Sequence, residues 1–271
     1  MADRVPIVLI DGQICQLPEA DRLFAGVDGL LQPSLASRKV SMWLPNDGNS
    51  ATTIGTPAPA TFGSATARYS DATSTDLFRR MKRVGYVSSA STNSLSGLRL
   101  ASEQIAIGNG SLGGFRTVIR FGCSDSATVA GARQWCGVTD FQSVTNVEPS
   151  AMTSNIGVGH GASDTNLKIF AAGSTPITPI DLGPNFPANT LSVDVYELTL
   201  YSPRLSNGVV NWRVLRMNTG HVAEGQLSDS TGVTMPPPTK GLSPLRCWRT
   251  NNTTALSVGI DVMHHYLETD Y

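Results

Sequence analysis

The chain has 271 residues, with 20 Lys and Arg against 21 Asp and Glu, a formal net charge of -1. That balance supplies no long-range field for nucleic acid or an anionic membrane, which argues against polyanion binding as the main function. Hydrophobic residues make up 40% and charged residues 15%, against about 25% charged in typical soluble proteins, so a sizeable core is available and Ser, Thr, Asn and Gly dominate the polar surface.

The longest early apolar run, Ile7 to Ile10, is far short of the roughly 20 residues a spanning helix needs. The opening Met-Ala-Asp-Arg lacks the basic-then-apolar layout of a secretory signal, so synthesis in a cytoplasm is expected. Cys15, Cys123, Cys136 and Cys247 are widely spaced with no Cys-x-x-Cys pair, and are read as buried small hydrophobes rather than zinc ligands or a disulfide framework.

Residues 1–40 form a distinct opening segment. Ile7–Ile10 and Ile14–Leu17 are strand candidates around an Asp11-Gly12 turn, and Glu19 to Phe24 could form a helical turn. This segment is too small for its own core and is expected to act as an attachment segment. Residues 41–271 are expected to form one β-sandwich domain. Val40 to Leu44 is its first strand candidate. The tract 45–75, rich in Pro, Gly, Ser, Thr and Ala, reads as a long irregular connection wrapping the surface.

Asp76 to Val84 is the one helix candidate, capped by Ser74 or Thr75. Leu77, Phe78 and Met81 give it an apolar side, and Arg79, Arg80, Lys82 and Arg83 a basic one. The basic side is either a solvated face whose cations answer the helix C-terminus or a site for acidic sugars.

Beyond Tyr86 the pattern is strands and turns. Candidates are residues 86–90, 94–100, 115–121, 133–138, 156–159, 167–171, 177–182, 221–227, 245–250 and 255–266, together with a hairpin over 191–218. In that hairpin the apolar phase slips between Val195 and Tyr196, which predicts a β-bulge, and Asn207-Gly208 supplies the turn. About ten short strands with regular turn signals predict an all-β, antiparallel, jelly-roll-like sandwich with one short helix.

Catalytic signals are weak. His264 and His265 are adjacent on a strand and point to opposite faces, so they cannot share a metal; His160 and His221 stand alone. Asp125, Asp140, Glu148, Asp164, Glu224 and Asp229 fall in loops or at turn edges. A pair of them could hydrolyse a glycan, but no spacing selects one. No nucleophile elbow, phosphate loop or His-Glu-x-x-His motif occurs. No catalytic, cofactor or metal residue is therefore assigned, and the glycan or receptor contact residues stay unknown. Trp43, Trp135, Trp212 and Trp248 lie in strand candidates and read as core; any that reached a loop edge would be a sugar platform. Sequons at Asn109, Asn251 and Asn252 carry no meaning without secretion.

Leu112-Gly113-Gly114-Phe115, Val147-Glu148-Pro149-Ser150, Ile180-Asp181-Leu182-Gly183-Pro184-Asn185-Phe186-Pro187, Tyr196-Glu197-Leu198 and the closing Tyr266-Leu267-Glu268-Thr269-Asp270-Tyr271 occur in order. With them, residues 40–271 resemble a family of tailed-bacteriophage tail-fibre or minor virion structural proteins. The opening Asp11-Gly12 to Leu17-Pro18 with Asp21 resembles a lead-in of phage fibres. The resemblance implies a non-enzymatic virion component, a homotrimeric appendage with a β-sandwich head, joined to other virion proteins through residues 1–40. It carries over no binding residue and no cofactor. The leading expectation is a tail fibre that contacts a host-surface glycan. A capsid-decoration, baseplate or collar protein without receptor binding is the alternative, and a glycan-degrading depolymerase the third.

Overall fold

Strands that alternate apolar with polar residues must each bury one face, and here they do so by stacking two antiparallel sheets. The computed structural model describes residues 7–10, 13–16, 39–56, 58–140 and 146–269. Two compact units divide the chain, Met1–Arg38 and Lys39–Tyr271. In the first, β1 (Ile7–Ile10) and β2 (Gln13–Gln16) pair antiparallel with Ile10 opposite Gln13. The expected Asp11-Gly12 turn and the Glu19 to Phe24 helical turn lie outside the described residues.

The second unit is the sandwich. Its nine-stranded sheet runs β16 (His221–Ser228), β15 (Val209–Arg216), β14 (Tyr196–Ser202), β9 (Phe115–Cys123), β18 (Gly259–Thr269), β3 (Lys39–Pro45) and β4 (Ala51–Ile54), with β7 (Val84–Val87) on the first half of β18 and β6 (Ser64–Thr66) on β7. Its seven-stranded sheet runs β13 (Ile180–Asp181), β12 (Lys168–Ala172), β11 (Asn155–His160), β10 (Arg133–Thr139), β17 (Ser243–Thr250), β8 (Leu95–Arg99) and β5 (Ala60–Phe62). One face of each sheet meets in the core: Trp43, Ile119, Leu198, Trp212, Val214 and Leu267 from one, Leu98, Cys136, Val138, Ile156, Val158 and Cys247 from the other. No helix among the described residues is long and apolar enough to cross a membrane.

Four local expectations change. The helix is a single turn, α1 (Leu77–Arg80), capped by Asp76, whose carboxylate accepts from the Phe78 N–H at 2.9 Å. It stops early because Val84 is drawn into β7 and Arg83 turns inward to Asp261. The phase slip at Tyr196 is not a bulge: Leu191–Val193 form a turn, with Ser192 at φ 54, and β14 begins only at Tyr196. The tract 45–75 is not irregular throughout, since β4, β5 and β6 lie within it.

The hairpin turn is also longer than a two-residue Asn-Gly turn. Tyr201 pairs with Asn211, Gly208 alone of the pair takes positive φ, and Asn207 bridges instead to Asn109.

Candidate functional site

The chain crosses from one sheet to the other between β5 and β6, and the corner residue is Gly63 at φ +69. A Cβ there would stand 2.4 Å from the Val87 carbonyl oxygen, so glycine alone allows this close crossing. Beside the corner opens a cleft of about 450 Å³ lined by Gly63, Ser64, Thr66, Val87, Ser88, Ser89, Ser94 and Leu95. Five of these carry hydroxyls and none carries a charge. The Ser89 and Ser94 hydroxyls are 2.7 Å apart and solvent-facing. Ser88 has a supporting role: it accepts from the Val258 N–H at 3.1 Å and donates to the Ser89 carbonyl at 2.9 Å.

The far wall is fixed by Asn251. Its amide oxygen accepts from the Ser94 N–H at 2.9 Å, and its NH2 donates to the carbonyls of Ser91 at 2.7 Å and Leu256 at 2.8 Å. The side chain is buried and fully engaged, which accounts for this asparagine without glycosylation. Hydroxyls that both donate and accept, around an uncharged and partly apolar floor, suit a neutral polyhydroxyl ligand.

The sequence-selected residues fall elsewhere. All four tryptophans are buried, so none forms an exposed platform. Asp125 lies wholly inside in an ion pair with Arg249, whose guanidinium also reaches Asn189 and the His160 imidazole. Burial, reinforced by the Arg249 charge, lowers the His160 pKa to about 3. Asp140 pairs with Lys240 at 3.5 Å. Asp229 accepts from the backbone and side chain of Thr231 and Thr234, bonds that hold its carboxylate well below the usual range. Glu224 stands on β16 opposite Arg213.

The structure does bring one carboxylate pair together. Glu148 and Asp164 both flank Gly161, but each is spoken for. Glu148 pairs with Arg133 at 2.7 Å and accepts from the Ala162 N–H; Asp164 pairs with Lys168 at 2.7 Å and accepts from the Gly161 N–H. Together they brace the β11–β12 connection. Among the described residues, no group of three or more His, Cys, Asp or Glu side chains is placed to hold a metal ion.

The basic side of α1 is divided. Arg83 is buried against Asp261 at 3.0 Å, lies 5.0 Å over the Phe78 ring and donates to the Arg79 and Met81 carbonyls, so it answers the helix end. Arg79, Arg80 and Lys82 remain at the surface.

No family model matches the chain, and no curated protein matches it. Solved structures share the fold. Peanut lectin aligns at TM-score 0.53 and 12% identity, over 84% of this chain and 97% of its own. Lectin I from Ulex europaeus, in complex with a methyl glycoside of α-L-fucose, aligns at 0.51 and 10%, over 86% and 98%. A protein of unknown function from Shewanella oneidensis MR-1 aligns at 0.53 and 10%, over 92% and 95%. At these identities the likeness shows the fold alone, a jelly-roll-like β-sandwich.

Proposed function

We propose that the chain is a glycan-contacting β-sandwich of a tailed-bacteriophage particle, a homotrimeric tail fibre or appendage acting by binding rather than catalysis. The observation that carries the glycan part is the uncharged, hydroxyl-lined cleft at the Gly63 corner. The fold shared with carbohydrate-binding lectins supports it, and the phage assignment rests on the sequence resemblance. A shallow neutral cleft binds sugar weakly, and trimeric linkage would raise the overall affinity without new contacts. Adsorption of the purified chain to bacterial cells, blocked by soluble surface polysaccharide, is the expected result. A chain that binds no cell or polysaccharide would overturn the reading.

A second reading, an architectural capsid, baseplate or collar protein, is favoured by β16. This eight-residue strand ends the nine-stranded sheet, is mostly exposed and, among the described residues, offers an unpaired edge of the kind that partners extend. Labelled antibody locating the protein on the capsid rather than the tail, with no sugar binding, would select it.

A further inference from the structure

Phe115 at the start of β9 pairs with Thr269 at the end of β18 and with Ser202 at the end of β14, and these residues mark one end of the sandwich. Lys39, where the chain enters β3, pairs with Thr269 at this same end. The cleft lies at the other end, because its Val87 pairs with Gly259, where β18 begins. The eleven residues of β18 put roughly 33 Å between the two.

Three loops come together at the Lys39 end: residues 108–114, 203–208 and 229–235. The Gly208 N–H donates to the Gly108 carbonyl at 2.9 Å, and the Asp229 N–H to the Gly208 carbonyl at 2.8 Å. A Cβ on Gly114, at φ +90, would stand 2.9 Å from the Arg204 Cα, so glycine is what lets the first two loops press together. The Asn109 side-chain oxygen accepts from the Ser111 and Leu112 N–H groups and fixes the first loop. This frame turns apolar side chains outward: Leu205 is 81% exposed, Leu112 65% and Val233 48%. Exposed apolar residues scattered singly need no explanation, but three on loops bonded to one another do.

Charge is nearly absent from the same surface. Arg204 and Asp229 are the only charged residues in the three loops, and both are engaged. The Arg204 Nε donates to the Ser111 carbonyl at 2.9 Å, and the Asp229 carboxylate accepts from Thr231, Thr234 and Met235. An apolar surface with no field of its own matches an equally apolar surface, not an anionic one.

We propose that this loop tip is the contact between copies of the chain, with Leu112, Leu205 and Val233 of each packing against the same residues of the others. The inference rests on the trimeric reading and adds to it the surface that closes the trimer. Residues 1–38 join the sandwich at this end, so copies held through them are tethered tip to tip at high effective concentration. A small apolar contact, too weak to join free copies, then suffices. The loops are fixed beforehand by their hydrogen bonds, so little freedom is lost when the tips pack. The clefts, at the far end of the strands, stay clear of the contact and open to a ligand.

The test uses the full chain in two ways. Light scattering over a dilution series gives the concentration at which the trimer half-dissociates. Leu112→Ser combined with Leu205→Ser should raise that concentration at least tenfold while leaving the unfolding midpoint of the sandwich unchanged, since both side chains are exposed. Separately, Leu205→Cys in a Cys15→Ser chain, oxidised with copper phenanthroline, should give covalently linked pairs on a denaturing gel. Ser89→Cys, at the cleft end, should give none.

A parent trimer whose dissociation ignores the two serines, or that links no better through Leu205→Cys than through Ser89→Cys, overturns this interface and leaves the trimer standing. Such a result would assign the leucines to a different virion protein. A parent chain that is monomeric at every concentration sinks the trimeric reading itself, and this contact with it.

Discussion

Arg249 on β17 and Asp125, just past the end of β9, form a fully buried ion pair that ties the two sheets together. The Arg249 Nε lies 2.9 Å from one carboxylate oxygen and 3.1 Å from the other. Nη2 donates to Asp125 and to Asn189 and Nη1 reaches Gln134 and His160, while Asp125 also accepts from the Gly259 N–H at the start of β18. Almost every lone pair and proton is used, the condition under which a buried pair is tolerated. Breaking it strands a charge. Asp125→Asn or Arg249→Met should each cost about 3–5 kcal/mol in denaturant unfolding. A loss below about 1 kcal/mol, the range of exposed pairs, would show that the sheets are not pinned here.

Two buried histidines predict an acid-sensitive fold. Burial lowers the pKa of His160, with the Arg249 charge, and of His265, with His264, each to about 3. The unfolded chain takes up both protons near pH 6.5, so between about pH 6.5 and 3 it binds more protons than the native state. Stability is therefore full above pH 6.5 and falls as pH drops through that window. Each histidine contributes a slope approaching 1.4 kcal/mol per pH unit, by order of magnitude. Unfolding midpoints at pH 7.5, 6 and 4.5 check this, and His265→Gln should flatten the slope. A flat profile from pH 7 to 5 would refute it.

Gly63 makes a steric prediction. Gly63→Ala adds a methyl against the Val87 carbonyl on a left-handed backbone, at a cost of roughly 1–3 kcal/mol. Gly183→Ala is the control: its φ is +80 but its Cβ would meet nothing within 4 Å. Thermal melts should show the larger drop for Gly63→Ala. Equal drops would mean that the corner crossing relaxes.

The Asn185-Phe186-Pro187 run is anchored in the main core. Phe186 is buried in the main core, and the Tyr196 hydroxyl donates to the Pro187 carbonyl at 2.7 Å. Phe186→Ala should cost about 3–5 kcal/mol and Tyr196→Phe about 0.5–1.5 kcal/mol, read from urea midpoints. A Phe186→Ala variant as stable as the parent would place this run outside the core.

Strands with marked alternation were legible: Phe115 to Phe121 and Val210 to Val214 show their inward face in the sequence. What misled were residues whose partners lie far along the chain. Arg83 reads as the solvated end of a helix until Asp261, 178 residues later, draws it inside. Ser64 and Thr66 sit in a Pro-rich tract with no apolar period, yet they pair with β7 because that strand's edge is open. The cleft was illegible for the same reason. Its hydroxyls come from three separate segments, and a serine in a turn looks the same whether or not it faces a cavity. Leu112 and Leu205 become conspicuous only when backbone bonds show their loops side by side.

Light scattering addresses the proposed assembly, for which a mass near three times 28.7 kDa is expected. A clean monomer would favour the architectural reading.

The proposed function stands or falls on whether the cleft at the Gly63 corner holds a sugar. The most direct measurement is binding of the chain and of its Ser89→Trp variant to an array of bacterial surface glycans. Ser89 is exposed, so the indole fills the cleft without disturbing the core. The parent chain should retain at least one neutral glycan, and the variant should lose at least tenfold. Equal retention by both, or by neither, would contradict it.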